Sequence, residues 1–292
     1  MPTNAPWRPK SGDIIVSNWL SYVEVLWLAF RFNPTFVLPI TPPMRKTPIA
    51  PPSSRSTPHR RAGTGTAALS QPLPKSTVER VPILGFRTVS LLGMLNVTGH
   101  VPPYRSDHGV ESARSIEEIR STSLKPVVVF PECTTSNGRG LLRFADVFSN
   151  MQVPVKGYNV FIMSVRYASH LDNVHRLLKR FVRIDPPSPL SPTIASSVPC
   201  RFGPLNPLPH MFTLASSILP HNLSIRLLAL SDGPSSMGFL VSNVLSSAVG
   251  ESTDALSEIC ATLVGEIGRM KRVDLGWEDK GNFLDLYRAK TR

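Results

Sequence analysis

The chain has 292 residues, of which 41% are hydrophobic, so it can bury a core and is not disordered as a whole. Its 29 prolines are about twice the average share, which predicts that part of the chain is unpacked. Lys and Arg number 32 against 20 Asp and Glu, for a net charge of +12, and the three cysteines form neither a disulfide framework nor the ligand spacing of a zinc module.

Residues 1–40 carry the first predicted elements of an α/β domain. Residues 13–17 are typical of a short buried strand, the apolar run 20–32 of a helix, and residues 36–40 of a second strand. A helix between two strands favours a sheet whose strands run largely parallel.

Residues 41–80 differ in composition from the rest of the chain. They contain eight prolines and seven basic side chains against one acid, with almost no apolar pattern. Such a segment cannot bury enough apolar surface to offset its conformational entropy, so we interpret it as a flexible basic insertion. A solvated loop and a contact with an anionic lipid surface both fit its charge. Nucleic-acid binding is the least favoured function, because no aromatic residues are interleaved with the basic ones.

Residues 81–292 continue the domain. The sequence predicts the end of an amphipathic helix at 115–120, a helix near 211–218 and a proline-rich surface segment at 185–209. Three further strands are predicted, at 126–130, 158–167 and 223–230. The predicted fold class is therefore α/β, with a mostly parallel central sheet flanked by helices.

The clearest helix lies in the C-terminal region. Five apolar residues recur there at intervals of three or four: Leu256, Ile259, Leu263, Ile267 and Met270. This stripe predicts a helix that packs against the core. Ser252 or Thr253 is the predicted N-cap, and Lys271 and Arg272 are expected to close the helix, where cations suit the negative end of its dipole.

The most specific motif of the chain follows the predicted strand 126–130. Residues 130–139 read Phe-Pro-Glu-Cys-Thr-Thr-Ser-Asn-Gly-Arg, so a carboxylate, three hydroxyls, an amide and a guanidinium share one glycine-containing turn. Open α/β sheets place their ligand sites at the carboxyl ends of strands, and an arginine fork matches phosphate oxygens. The sequence predicts an anion-binding turn here, and an ordinary strand-to-helix turn capped by Thr and Ser is the alternative.

This motif resembles the Phe-Pro-Glu-Gly-Thr-Arg-Ser signature of the lysophosphatidic acid acyltransferase-like, or PlsC-like, glycerophospholipid acyltransferases, and its extended form is most similar to the fungal members. Residues 16–24 are similar to the family's Ser-Asn-His-x-Ser-x-x-Asp block. Residues 85–87 resemble its middle block, and residues 153–155 its block that contains Val-Pro. The resemblance covers about residues 11–167, interrupted by the insertion 41–80.

The resemblance implies a PlsC-like fold and acyl transfer from acyl-CoA to a lysophospholipid such as lysophosphatidic acid, in glycerophospholipid or triacylglycerol metabolism. It assigns binding of the acceptor to Glu132, Thr134, Ser136 and Arg139, with acyl-CoA as co-substrate and neither a cofactor nor a metal. Such substrates imply a membrane surface as partner and a cytosol-facing, membrane-associated protein of the endoplasmic reticulum or lipid droplets. No run of 18 uncharged apolar residues predicts a spanning helix.

Departures from the family pattern affect the catalytic step. The histidine position holds Trp19 and the aspartate position holds Glu24, and an indole has no basic nitrogen that accepts a proton. In the third block, Cys133 replaces a glycine and Thr135 an arginine. A general base contributes roughly 10²–10⁴-fold to such a step. Either another residue supplies the base, or the chain is a catalytically inactive lipid-binding or scaffolding member of the same fold.

Other residues are candidates for the missing group. Of the seven histidines, His100 and His108 lie nearest in the chain to the 130–139 turn, although a surface or capping role is the commoner one. Glu24 is a candidate base if desolvation raises its pKa. Cys133 is a candidate acyl-accepting nucleophile, whereas packing as a small buried side chain is the more usual role.

Overall fold

The computed structural model describes residues 7–43, 76, 78–104, 113–136, 138, 140–149, 151–168, 222–236, 238–241 and 254–291. Three predictions lie outside these residues: most of the basic insertion, the proline-rich segment 185–209 and the helix near 211–218. Ser76 and Arg80, near the end of the insertion, are described and hydrogen bond to Asp279 and Asp146.

A six-stranded mixed sheet forms the centre of the described residues. The strands of the chain are β1 (Ile14–Ser17), β2 (Thr35–Ile40), β3 (Gly85–Val89), β4 (Val127–Val129), β5 (Gly140–Leu141), β6 (Val160–Ala168), β7 (Asn222–Leu227) and β8 (Lys271–Arg272). The sheet has the order β3-β2-β4-β1-β6-β7, and β5 pairs separately with β8. Strands β2, β4, β1 and β6 are parallel, and the edge strands β3 and β7 are antiparallel to their neighbours.

Helices cover both faces of this sheet. They are α1 (Tyr22–Phe32), α2 (Leu91–Val97), α3 (Ile116–Thr122), α4 (Ala255–Gly268) and α5 (Trp277–Thr291). Alternate residues of β1 point to opposite faces, so Ile15 packs with α1 and α2 while Ile14 and Val16 pack with α3 and α4. Within the described residues, no helix is both long and apolar enough to cross a membrane.

The α/β class and the mostly parallel sheet are confirmed. The five predicted strands are present with small changes at their ends, and the helix predicted at 20–32 begins at Tyr22. In the C-terminal stripe, Leu256, Ile259, Leu263 and Met270 are buried and Ile267 packs against the same core, as predicted. The hydrophobic pattern was sufficient for these elements because the helices have one face in the core and the central strands β1 and β4 are buried on both faces.

Three details of the helices were predicted wrongly. The segment 115–120 is the start of α3 rather than the end of a helix, because the Ser115 side chain caps the amide of Glu118 at 3.1 Å. The N-cap of α4 is Asp254, whose carboxylate accepts hydrogen bonds from the Ser257 and Phe148 amides. This helix ends at Gly268, and Lys271 and Arg272 pair with β5 instead of closing the helix.

Candidate functional site

The two sequence blocks that resemble the acyltransferases meet at one edge of the sheet. Strands β1 and β4 are adjacent and parallel, so the residues after Ser17 and after Val129 emerge on the same side. The amide of Ser136 donates a hydrogen bond to the carbonyl of Trp19 at 2.8 Å. This is the carboxyl edge, where open α/β sheets place their ligand sites.

Glu132 joins these two segments from the inside. Its side chain is fully buried, and its Oε2 accepts a hydrogen bond from the Trp19 amide at 2.8 Å. Its Oε1 accepts one from the Leu142 amide at 2.9 Å. Since both carboxyl oxygens are engaged by backbone groups, Glu132 positions the segments, and its contact with a lipid acceptor stays a prediction.

The two positions that the resemblance aligns with a catalytic dyad hold a packing residue and a helix cap. Trp19 is fully buried, stacks on Phe130 with ring centroids 5.2 Å apart, and donates its indole N–H to the Ser21 carbonyl at 3.2 Å. Glu24 closes the capping box of α1, where its Oε1 accepts from the amides of Leu20 and Ser21. Its Oε2 accepts the Ser21 hydroxyl at 2.8 Å.

Both buried carboxyl groups are harder to ionise than usual. Burial raises the pKa of Glu24 to about 7, although the hydrogen bonds from Ser21 and Leu20 act in the opposite direction. Burial raises the pKa of Glu132 to about 8, against the hydrogen bonds from Trp19 and Leu142 and the positive charge of Lys280. The negative charge of Glu24 raises the pKa of Glu132 further, so the two carboxyls are electrostatically coupled.

Lys280 is a site residue that the sequence did not reveal. Its ammonium donates hydrogen bonds to the Thr134 Oγ1 at 2.9 Å, the Thr135 carbonyl at 2.7 Å and the Thr135 Oγ1 at 3.1 Å. Thr134 in turn donates its hydroxyl to the carbonyl of His100 at 2.8 Å. A cation of α5 is thereby fixed to the 130–136 turn, although 146 residues separate Lys280 from Thr134 along the chain.

The backbone at Cys133 has a conformation that favours glycine. Cys133 has a φ of 52°, in the left-handed region that favours glycine, and its carbonyl accepts the Tyr104 hydroxyl. The thiol is buried, and desolvation raises its pKa well above the usual value. Because the thiolate is the reactive form, this environment disfavours Cys133 as an acyl-accepting nucleophile and favours the packing role.

Of the remaining predicted residues, the structure describes Ser136 and His100 but not Arg139. Ser136 is buried, and among the described residues its hydroxyl has no hydrogen-bond partner. Arg139 lies outside the described residues, so its predicted contact with the acceptor stays a prediction. His100 is described and partly exposed. The other six histidines lie outside the described residues: His59, His108, His170, His175, His210 and His221.

Two large cavities of the described part lie away from the turn. One, of about 640 Å³, lies between α3 and the segment 146–158, and the other, of about 560 Å³, lies between α1 and the start of α2. Neither is lined by Trp19, Glu24 or residues 132–136. In the described ranges, no group of three or more His, Cys, Asp or Glu side chains could hold a metal ion.

Comparison of the chain with models of protein families, with curated proteins and with solved structures gives no match. Two observations therefore bear on the function of the chain. One is the likeness of residues 16–24 and 130–136 to the acyltransferase blocks. The other is the contact between these segments at the carboxyl edge.

Proposed function

We propose that the chain is a membrane-associated enzyme of the PlsC-like acyltransferase fold that transfers an acyl group from acyl-CoA to a lysophospholipid such as lysophosphatidic acid. The observation that carries the proposal is the contact between residues 16–24 and the 130–136 turn, through Glu132 and through the Trp19–Ser136 hydrogen bond. Trp19 and Glu132 are 113 residues apart in the chain, and their hydrogen bond lies at the carboxyl edge of the sheet, where open α/β sheets place their ligand sites.

The proposed reaction needs a base near this turn. The hydroxyl oxygen of the lysophospholipid attacks the thioester carbon, a C–O bond forms, the C–S bond breaks, and the coenzyme leaves as a thiolate that takes up a proton. The hydroxyl proton goes to a general base, which Trp19 cannot be. Glu24 has a suitable pKa of about 7, but its oxygens are enclosed in the capping box of α1.

His100 is the described residue best placed to supply the base. Its amide donates to the Val97 carbonyl at 2.9 Å, which fixes it just after α2, and its carbonyl accepts the Thr134 hydroxyl. The imidazole is therefore carried by a backbone segment that is bonded directly to the 130–136 turn. Among the described residues it is the only imidazole; the residue as a whole is partly exposed, and its Nδ1 is buried.

The anionic group of the acceptor has candidate partners in the same turn. Lys280 supplies a positive charge beside Thr134 and Thr135, and the buried Ser136 hydroxyl has a hydrogen bond to give. Cations and hydroxyl donors are the groups that bind phosphate oxygens in proteins. Arg139 completes the proposed set from the sequence.

A second candidate function is lipid binding without catalysis. The observation that favours it is the state of Trp19 and Glu24, which are fully buried and engaged in packing and capping. In this case the turn would hold the lipid's anionic group, but no acyl transfer would follow.

An acyl-transfer assay separates the two functions. Full-length protein is incubated with radiolabelled oleoyl-CoA and lysophosphatidic acid in mixed micelles, and phosphatidic acid is followed with time. We expect formation of phosphatidic acid that depends on both substrates. Binding of lysophosphatidic acid without turnover, measured by equilibrium dialysis of the same preparation, would support the non-catalytic function. Absence of both would contradict the lipid assignment.

Replacing Lys280 with methionine is expected to raise the KM for lysophosphatidic acid by about tenfold or more, with a smaller effect on kcat, since one charge-assisted contact is worth roughly 1.5–3 kcal/mol. Methionine keeps the apolar stem but removes the ammonium that bonds the Thr134–Thr135 turn. The matched control is Lys271→Met, at an exposed lysine of β8, which should leave both constants unchanged. Equal KM values for the wild type and Lys280→Met would exclude Lys280 from acceptor binding.

A further inference from the structure

The outer surface of α1 and α2 carries exposed apolar side chains. Helix α1 has no charged residue except Glu24 and Arg31, and α2 has none. Nine apolar side chains of the two helices are not fully buried, and we call them the α1–α2 surface: Val23, Leu26, Trp27, Ala29, Phe30, Phe32, Leu91, Leu92 and Leu95.

Two members of this surface extend far into solvent. Phe30 is 92% exposed and Leu92 is 77% exposed. Beside Phe30 opens the groove of about 560 Å³, lined also by Leu26, Leu91 and Lys125. Neighbouring exposed apolar side chains around an open groove mark a surface that binds another apolar phase.

Exposed basic side chains lie beside this surface. Arg31 is exposed on α1, Lys125 lines the groove, and Arg8 is exposed next to Trp7, whose ring contacts Phe32 at the end of α1. In the segments 7–43 and 78–104, which build this side of the sheet, Asp13 and Glu24 are buried. The exposed Glu79 adjoins Arg80, which is paired with Asp146 and lies on the opposite face of the sheet.

We propose that the α1–α2 surface docks onto an anionic lipid bilayer, with Phe30 and Leu92 inserted among the acyl chains and Arg8, Arg31 and Lys125 at the lipid headgroups. Apolar side chains flanked by basic residues suit such an interface. A second copy of this chain fits less well, since a symmetric contact through the same surface would bring the basic residues of both copies together.

The place of the two helices in the fold gives this docking a consequence, which rests on the proposed function. Helix α1 begins at Tyr22, three residues after Trp19, and α2 ends three residues before His100, so both helices lead from the exposed apolar side chains to the candidate site. Docking through their outer faces would hold the site beside the bilayer that contains a lysophospholipid acceptor.

Vesicle flotation with the full chain tests the docking. Vesicles of phosphatidylcholine alone are compared with vesicles that contain 30% phosphatidic acid. We expect binding to the anionic vesicles, reduced at least tenfold in Phe30→Asp and likewise in Leu92→Asp. The matched control is Phe283→Asp, at a half-exposed phenylalanine of α5, which begins on the other face of the sheet, and it should bind like the wild type.

Other outcomes would overturn the proposal. Unchanged vesicle binding in both α1–α2 variants would place the lipid contact elsewhere. Sedimentation equilibrium without lipid tests the other occupant, a second copy of this chain. A dimeric wild type and a monomeric Phe30→Asp would show that this surface binds a second copy instead of a bilayer. Acyl transfer to a short-chain, water-soluble lysophosphatidic acid separates the two proposals, because this acceptor does not require a bilayer. We expect Phe30→Asp to retain this activity. If the wild type lacks it, the proposed function is contradicted, whereas the vesicle result is unaffected.

Discussion

Replacement of His100 by alanine is expected to lower kcat for acyl transfer by about 10²- to 10⁴-fold, the usual contribution of a positioned general base. The backbone contacts of His100, to the Val97 carbonyl and the Thr134 hydroxyl, do not involve its side chain and should persist in the variant. The KM for lysophosphatidic acid is expected to change little. Initial rates of phosphatidic acid formation at several acceptor concentrations separate kcat from KM.

The control for this experiment lies in the same loop. Tyr104→Phe removes the hydroxyl that bonds the Cys133 carbonyl but leaves every imidazole in place. It should cost stability, on the order of 1 kcal/mol for one hydrogen bond, and retain most of the activity. If His100→Ala keeps more than half of the wild-type kcat, the base lies elsewhere and Glu24 becomes the next residue to test.

The strands that lead into the candidate site could be predicted because they have strong local patterns. The run Val127–Val129 is apolar at every position, as a strand buried on both faces requires, and Phe130 and Pro131 mark where the polar turn follows it. Residues after parallel neighbouring strands emerge together, so a likeness in residues 16–24 and 130–136 already suggested a shared site. In the structure, the Trp19 amide donates a hydrogen bond to Glu132, so the two segments are in direct contact.

The remaining parts of the site could not be predicted because they depend on distant contacts. Lys280 lies on α5 in a sequence without an apolar stripe, and its bonds to Thr134 and Thr135 exist only once α5 packs. The Thr134 hydroxyl donates to the backbone carbonyl of His100, and an acceptor of this kind carries no residue-specific signal in the sequence. Capping of α4 by Asp254 was missed because Ser252 and Thr253 are equally good N-caps in isolation, while tertiary contact with Phe148 selects the aspartate.

Replacement of Glu132 by alanine is expected to lower the free energy of unfolding by about 2–5 kcal/mol. Alanine leaves the buried Trp19 amide and the half-buried Leu142 amide without their acceptors, and each unsatisfied group costs roughly 1–3 kcal/mol. Urea denaturation followed by circular dichroism measures the loss. Glu132→Gln keeps one acceptor oxygen in a side chain of the same size but places its NH2 against the other backbone N–H, so it should lose less stability than alanine without matching the wild type.

The same pair of variants reveals how Glu132 couples folding to pH. Because the pKa of Glu132 is raised from 4.5 to about 8 on folding, the native protein holds a proton that the unfolded chain has released between these values. The free energy of unfolding of the wild type therefore falls as pH rises through this window, by up to about 1.4 kcal/mol per pH unit from this group. Glu24, whose pKa is raised to about 7, acts in the same direction.

Glutamine at position 132 cannot ionise, so Glu132→Gln should show a shallower decline between pH 5.5 and 7.5, while the contribution of Glu24 persists in both proteins. Glu266→Gln, at an exposed carboxylate of α4, is the matched control and should keep the wild-type slope. Parallel curves for the wild type and Glu132→Gln would mean that Glu132 is ionised in the native state across this range. Glu132 would then be a buried negative charge beside the 130–136 turn. An anionic acceptor bound at this turn would need more positive charge than Lys280 alone provides.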